Sequence, residues 1–313
     1  MRVLVTGGTG FIGSAIVEAL RAAGSDHELR CMTRRASRPN PWGNAVQLVS
    51  GDVRDAASLR RAVDGVDTVV HCVQFPNHPV ENPRRGYTYE AIDGQGTVNL
   101  ANACREAGVR RLLYLSGAGT RVGRSEPWFR AKWTAEEAVR GSGREWVIFR
   151  PSWVYGPHDR SLNRFIQLVR LLPVVPVIGS GRNRVQPVFV HDVAQVVARA
   201  VDEPRATGQV FELGGPERLS MDEILRTVQR ILGRRQPLVH VPLELMKLQA
   251  SLLTLLPNPP LSPAALDFIL MEETVDPAPA EALFGIRFRR LEEGLRTYLD
   301  RRGPVGTQAP RPA

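Results

Sequence analysis

Thr6-Gly7-Gly8-Thr9-Gly10-Phe11-Ile12-Gly13 lies between a short β-branched run at 2–6 and a helical pattern at 11–23. The glycines at 7, 10 and 13 meet three needs of one turn. Gly7 permits the tight turn, Gly10 lets backbone approach a diphosphate, and Gly13 permits close helix–strand packing. N–H groups at the helix start, with its dipole, favour an anion. A glycine-rich turn alone is weak evidence. Here strand, loop and helix follow in the order a dinucleotide cradle requires, which places Thr9, Phe11 and Ile12 beside the ligand as well.

Further apolar or β-branched runs occur at 28–33, 46–50, 67–72, 111–116 and 145–150. Helical patterns at 55–63, 89–107 and 127–141 alternate with them. Such alternation implies an α/β fold built from βαβ units, a doubly wound parallel Rossmann sheet. Residues 1–157 are expected to form the cofactor domain, joined by a return segment at about 185–215. A smaller C-terminal lobe for substrate or partner takes 158–184 and 216–302. It starts with a helix at 161–172, followed by the Pro-rich stretch 172–179. A strand at 188–190 precedes a helix opening at His191-Asp192, and another strand falls at 209–213. Ser220 and Glu223 form a capping box before a helix at 221–232. Leu243 to Leu256 reads as a helix with few charges, stopped by Pro257-Asn258-Pro259-Pro260. It is either a core helix of the smaller lobe, a greasy wall for a lipid-like or quinone-like ligand, or a docking face. The tail 303–313, rich in Pro and Gly, is expected to be disordered.

The composition excludes several classes. A hydrophobic fraction of 43% and a charged fraction of 23% are ordinary for a soluble globular protein. The net charge is +9, but the arginines are dispersed rather than gathered with stacking aromatics, so no nucleic-acid partner is expected. Cys31, Cys72 and Cys104 are widely spaced without CxxC or His clustering, which argues against disulfides and a metal site and suits a reducing cytoplasm. Met1 runs straight into the first strand without a signal-peptide layout, and no apolar run approaches the roughly 18 residues of a membrane span. Lysine occurs only at 132 and 247. Where charge alone served, the chain uses Arg, so Lys132 points to a need for a compact ammonium.

At the end of the second strand a dinucleotide site often offers a carboxylate to the ribose 2′-hydroxyl. This chain has Thr33-Arg34-Arg35 instead. Arg34 and Arg35 suit a 2′-phosphate, so the expected cofactor is NADP(H) in preference to NAD(H). Asp52, in Gly51-Asp52-Val53 after the third strand, suits the adenine.

These blocks, with Ser116, Lys132, Arg150-Pro151-Ser152-Trp153-Val154-Tyr155-Gly156-Pro157, Gln186 to Ala194, and Phe211-Glu212-Leu213-Gly214-Gly215-Pro216, resemble the extended and atypical branch of the short-chain dehydrogenases/reductases from residue 1 to about 300. The later blocks, including Pro259-Pro260-Leu261-Ser262, are most similar to an atypical group related to the ninth accessory subunit of the respiratory complex I alpha subcomplex. The resemblance implies that Val53, Cys72, Val73, Pro151, Trp153 and Val154 line the cofactor, that Ser116 orients a substrate oxygen, and that Lys132 holds the nicotinamide ribose. Two positions depart from the pattern. Trp128 stands where the family keeps its tyrosine, four residues before Lys132, and Asp93 stands where extended members often have Asn. An indole N–H is only a donor and does not titrate near neutral pH, so tyrosine-dependent chemistry has lost its acid.

The resulting expectation is an NADP(H)-dependent oxidoreductase on a carbonyl, quinone-like or enone substrate bound between the lobes. Ser116, Lys132 and Tyr155 are the candidate catalytic residues, with Tyr155, a water, or a pKa-depressed Lys132 relaying the proton. His71 and His78 are weaker candidates. The alternatives are a non-catalytic NADP(H)-binding accessory or sensor subunit, or a nucleotide-sugar epimerase/dehydratase. A cytoplasmic monomer or homodimer is expected, with peripheral membrane or respiratory-complex association left open.

Overall fold

The computed structural model describes residues 1–24, 26–37, 39–76, 80–253, 266, 271–272, 274–300 and 303–304. The first half alternates β1 (Arg2–Thr6), α1 (Phe11–Ala22), β2 (Glu28–Thr33), β3 (Gln47–Ser50), α2 (Ala56–Val63) and β4 (Thr68–His71). It continues with α3 (Gln95–Glu106), β5 (Arg111–Leu115), α4 (Pro127–Arg140), β6 (Glu145–Pro151) and β7 (Val154–Tyr155). Then come α5 (Leu162–Leu171), β8 (Val175–Ile178), β9 (Arg184–Val185), β10 (Val188–Phe189), α6 (Val190–Ala200) and β11 (Gln209–Leu213). The chain proceeds through β12 (Leu219–Ser220), α7 (Met221–Leu232), β13 (Leu238–Val241), α8 (Leu243–Leu253), α9 (Ala278–Phe284), α10 (Leu291–Arg296), β14 (Leu299–Asp300) and β15 (Gly303–Pro304).

Seven strands form one sheet in the order β11-β6-β5-β4-β1-β2-β3. Every neighbouring pair is parallel. Order reverses between β1 and β4, which opens a crevice at the carboxyl ends of those strands. Side-chain alternation divides the core. Val3, Val5, Val147 and Phe149 face α1 and α6, while Leu4, Val69, Leu112 and Ile148 face α2, α3 and α4. With both faces covered, the central strands read as continuous apolar runs, and β5 is buried throughout. Phe149, Phe211 and Phe284 join β6, β11 and α9 with ring centroids 5.0–6.5 Å apart.

A third core gathers Leu162, Ile166 and Val169 of α5, Val175 and Val177 of β8, and Ile224, Leu225 and Val228 of α7. Within the Pro-rich stretch, β8 pairs in parallel with β13, a pairing that periodicity did not reveal. The capping box at Ser220 and Glu223 is formed. The segment 89–107 is not one uniform helix, because a π-helical turn at Glu90–Gly94 leads into α3. Leu245 and Leu248 of α8 are 48% and 60% exposed, so this helix is less buried than a core helix. Thr254 to Leu256, the proline stop and the block at 259–262 lie outside the described residues. In the tail, Gly303–Pro304 pairs with Leu299–Asp300, and 305–313 lie outside the described residues. Among the described residues no helix is long and apolar enough to cross a membrane, and no His/Cys/Asp/Glu group is placed to hold a metal.

Candidate functional site

A cleft of about 2380 Å³ runs along the carboxyl edge of the sheet and continues beneath α5 and α7. At its centre lies the loop between β1 and α1. Gly7 has φ +71°, and a Cβ there would sit 2.9 Å from the Cys72 carbonyl oxygen. A Cβ on Gly13 would fall 2.2 Å from the Gly7 carbonyl oxygen. The Gly10 N–H donates to Gly7 O over 2.9 Å, closing the turn. No side chain caps the start of α1, and its first turn carries no acidic residue. The first-turn N–H groups, which have no partner within a helix, are thus left for an anion. Thr9, Gly10, Phe11, Ile12 and Gly13 all line the cleft beside Gly7. A diphosphate fits this cradle, whose turn a Cβ at 7 or 13 would break by colliding with the Cys72 or Gly7 backbone.

Toward β2 and β3 the cleft is lined by Arg34, Arg35, Asp52 and Val53. The Asp52 carboxylate accepts three bonds from Arg54, from the backbone N–H over 2.9 Å, Nε over 3.2 Å and Nη2 over 2.8 Å. The bond from Arg54 holds the Asp52 carboxyl below its ordinary range. Arg54 also lies 5.3 Å from the Tyr87 ring centre, and Arg34 Nη1 donates to Tyr87 Oη over 3.4 Å. Sequence reading singled out neither Arg54 nor Tyr87 as a site residue. The Asp52-x-Arg54 spacing was a visible signal, whereas Tyr87 arrives from a distant loop.

Toward β4, β5 and β6, Cys72, Val73, Pro151, Trp153 and Val154 line the cleft, with Ser116, Gly117 and Trp128. Burial pushes the Cys72 thiol well above its ordinary range, so it is not a thiolate. Trp128, Lys132 and Glu136 follow the i, i+4, i+8 stripe of α4, and each meets the end of β5. The indole leans on Gly117, where a Cβ would be 2.4 Å from Trp128 Cη2. Lys132 does not line the cleft. Its side chain is 3% exposed and its Nζ lies 3.1 Å from Asp93 Oδ1, 3.5 Å from Leu115 O and 5.4 Å from the Tyr114 ring centre. Burial alone would lower the Lys132 pKa, but Tyr114 and Asp93 outweigh it and hold the ammonium above its ordinary value. The expectation of a pKa-depressed, proton-relaying Lys132 is therefore corrected. Its charge is matched by the other departure from the pattern, Asp93, whose Oδ2 also accepts the Phe75 N–H over 3.0 Å.

Ser116 does reach the cleft wall, but its hydroxyl proton is committed. Oγ donates over 2.6 Å to Glu136 Oε1, and Glu136 is fully buried. Arg150 grips the same carboxylate through Nε at 2.9 Å and Nη2 at 2.7 Å, and Arg140 Nη2 adds a bond of 2.7 Å. With its proton on Glu136, Ser116 presents lone pairs to the cleft. Glu136 was not singled out in the sequence, although it stands four residues after Lys132 on the same helix face.

Tyr155 is not part of the cleft wall. Along β7 side chains alternate, so Val154 faces the cleft while Tyr155 is fully buried beside Phe189. Its hydroxyl donates to the carbonyls of Leu291, over 3.3 Å, and Arg290, over 3.4 Å. Burial pushes its pKa above the ordinary tyrosine value. It cannot relay a proton to a ligand. His71 is likewise buried, with Nδ1 2.6 Å from Thr6 Oγ1 and Nε2 3.0 Å from Thr97 Oγ1. Since Thr97 donates to Asp93 O over 2.6 Å, Nε2 carries the imidazole proton and Nδ1 accepts from Thr6. Burial lowers the His71 pKa to about 3, so the ring stays neutral. His78 lies outside the described residues. Asp159, at the lobe end of the cleft, is raised by burial to about 6 and spends its oxygens on the Ser161, Leu162 and Asn163 N–H groups that begin α5.

The chain is similar to several known proteins in sequence and fold. The model of the NAD dependent epimerase/dehydratase family matches residues 3–214. NADH dehydrogenase [ubiquinone] 1 alpha subcomplex subunit 9, mitochondrial, of Arabidopsis thaliana is 29% identical over 256 residues, covering 79% of this chain and 62% of the relative. Its Mus musculus counterpart is 31% identical over 229 residues, covering 72% of this chain and 59% of the relative. The chain thus matches about three fifths of the length of these relatives. Among solved structures, the UDP-glucose 4-epimerase of Thermus thermophilus in complex with NAD superposes with TM-score 0.71 at 25% identity, covering 95% of this chain and 97% of that one.

Proposed function

From the premise that the chain belongs to the NAD-dependent epimerase/dehydratase family, we propose that it is an NADP(H)-holding protein of accessory or sensor type, in which the family's tyrosine-dependent chemistry has been dismantled. The observation that carries this reading is the Lys132–Asp93 ion pair at 3.1 Å, buried behind Trp128. A lysine so placed is neutralised, withdrawn from the cleft wall and without a tyrosine to activate. Ser116 faces the same cleft with its proton held by Glu136.

The cradle at Gly7, Gly10 and Gly13 would hold the diphosphate through backbone N–H groups. Arg34 and Arg35 would grip a 2′-phosphate, with Tyr87 steadying Arg34. Asp52 would not repel that phosphate, because Arg54 already compensates its charge. This supports NADP(H) over NAD(H), although the family's description and the Thermus complex both name NAD. Bound NADP(H) supplies a hydride donor or acceptor at its nicotinamide. The subunit-type names of the relatives support membership of a larger assembly, which co-purification tests. The cysteines are free, which suits a reducing cytoplasm.

One observation favours a second reading, an oxidoreductase on an apolar carbonyl, quinone-like or enone substrate. The cleft continues beyond Ser116 to a wall of Phe165, Leu168, Met221 and Met246 that a second molecule would fill. Solvent would then have to deliver the proton. Calorimetry with NADPH and NADH, followed by stopped-flow absorbance with carbonyl, quinone and enone panels, separates the readings. Tight NADPH binding without oxidation supports the holding role, and substrate-dependent oxidation replaces it with the second. Absence of heat with either nucleotide overturns both.

A further inference from the structure

Asp93 and Lys132 form a buried ion pair beneath one stretch of the cleft wall. Both side chains are almost fully buried, at 0% and 3% exposure. The pair is tied to that wall from two sides. Asp93 Oδ2 accepts the N–H of Phe75, which lines the cleft next to Cys72, Val73 and Gln74. Lys132 lies one helical turn after Trp128, which also lines the cleft. The π-helical turn Glu90–Gly94 delivers Asp93 to this position, and the Asp93 carbonyl is fixed by Thr97 Oγ1 over 2.6 Å.

Along the cleft, the adenosine end is fixed by the positions of Arg34 and Asp52 and the diphosphate by α1. On that reading the nicotinamide would fall at the ends of β4, β5 and β6, beside this wall. The oxidised ring carries a positive charge and the reduced ring is neutral. A buried ammonium acting alone would disfavour the oxidised form, since a charge surrounded by protein is screened weakly. Asp93 Oδ1 lies 3.1 Å from that ammonium and compensates it, although burial holds the Asp93 carboxyl above its ordinary range.

Resting on the dinucleotide reading above, we infer that Asp93 sets the oxidation-state preference of the bound nicotinamide, by neutralising Lys132 so that the site accepts NADP⁺ and NADPH on comparable terms. Asp93 acts through Lys132 and is a positioning and charge-balancing residue, not a catalytic one. An Asn at position 93 would leave Lys132 with its charge uncompensated, and the site would select the reduced form.

The test measures dissociation constants for NADP⁺ and NADPH on the full chain, read by quenching of tryptophan fluorescence and checked by calorimetry. In D93N the ratio Kd(NADP⁺)/Kd(NADPH) is expected to rise roughly tenfold. In D93N/K132M, where the added charge is gone, the ratio is expected to return toward the wild-type value. The double variant also guards against misfolding of D93N, because it leaves no unpaired ammonium buried. Equal weakening of both nucleotides in D93N, or a raised ratio that persists in the double variant, overturns the inference while the dinucleotide reading stands. Failure of the wild-type chain to bind either form removes the dinucleotide reading, and this inference with it.

Discussion

Between the phosphate end of the cleft and its far wall, construction passes from backbone to side chain. The phosphate end depends on three glycines and the uncapped start of α1, with nothing to titrate. The far wall is set by Trp128, Lys132 and Glu136 on one helical stripe, each answered by a group elsewhere: Gly117, Asp93, and Ser116 with Arg150. Backbone geometry survives as long as the glycines do. A wall of paired side chains is different, because two substitutions can cancel its chemistry and leave the fold standing. On the function proposed above, binding and reactivity are separable in this architecture, and this chain keeps the apparatus of the first.

The contrast can be strained from either end. The largest effect is expected in the wall. E136Q leaves Arg150 and Arg140 facing a neutral amide in a fully buried position, and denaturant unfolding should show a loss of about 3–5 kcal/mol. At the cradle, G13V drives side-chain atoms into the Gly7 carbonyl, and calorimetry should register at least a roughly hundredfold loss in dinucleotide affinity. A fold that stays intact in G13V but falters in E136Q would sharpen the distinction, and the reverse would break it. R34A/R35A should weaken NADPH by about tenfold to a hundredfold and leave NADH almost unchanged, since charge-assisted bonds to the 2′-phosphate are lost. The smallest effect concerns His71, which links the end of β1 to α3 through Thr6 and Thr97. Its folded pKa of about 3 lies below its unfolded value near 6.5, so the unfolded chain binds more protons between those limits. Stability from this group is complete above about pH 6.5 and is lost as pH falls toward 3. The first unit of acidification should cost about 1 kcal/mol, and melting curves of H71N should lack that component of the slope.

Sequence reasoning reached the sheet because its signals are local. Apolar runs mark β1 to β6, glycine spacing marks the cradle, and Ser220 with Glu223 marks the start of α7. All of these are settled within a few residues of chain. Tyr155 shows the limit. Its block borders the cleft, but one step of strand alternation sends Val154 to the ligand and Tyr155 to the core. Lys132 shows another, because its pKa depends on Asp93, a residue visible in the sequence only as a departure from pattern. Glu136 was readable from helical spacing alone, whereas the contact between Tyr87 and Arg34 required the fold.

The last strand to join the sheet has a consequence for how the chain is made. β11 pairs with β6 along its full length, and the ladder is closed at its ends by Gly208 N–H to Trp146 O at 2.8 Å and Ser152 N–H to Leu213 O at 2.9 Å. A nascent polypeptide that has emerged only to Pro157 therefore holds an apolar strand with one edge unsatisfied. Such an edge invites intermolecular pairing, and a contact so distant in sequence forms slowly. Ribosome-stalled chains ending near 157 should aggregate on release, and those that also carry β11, α7, α9 and α10 should stay monodisperse.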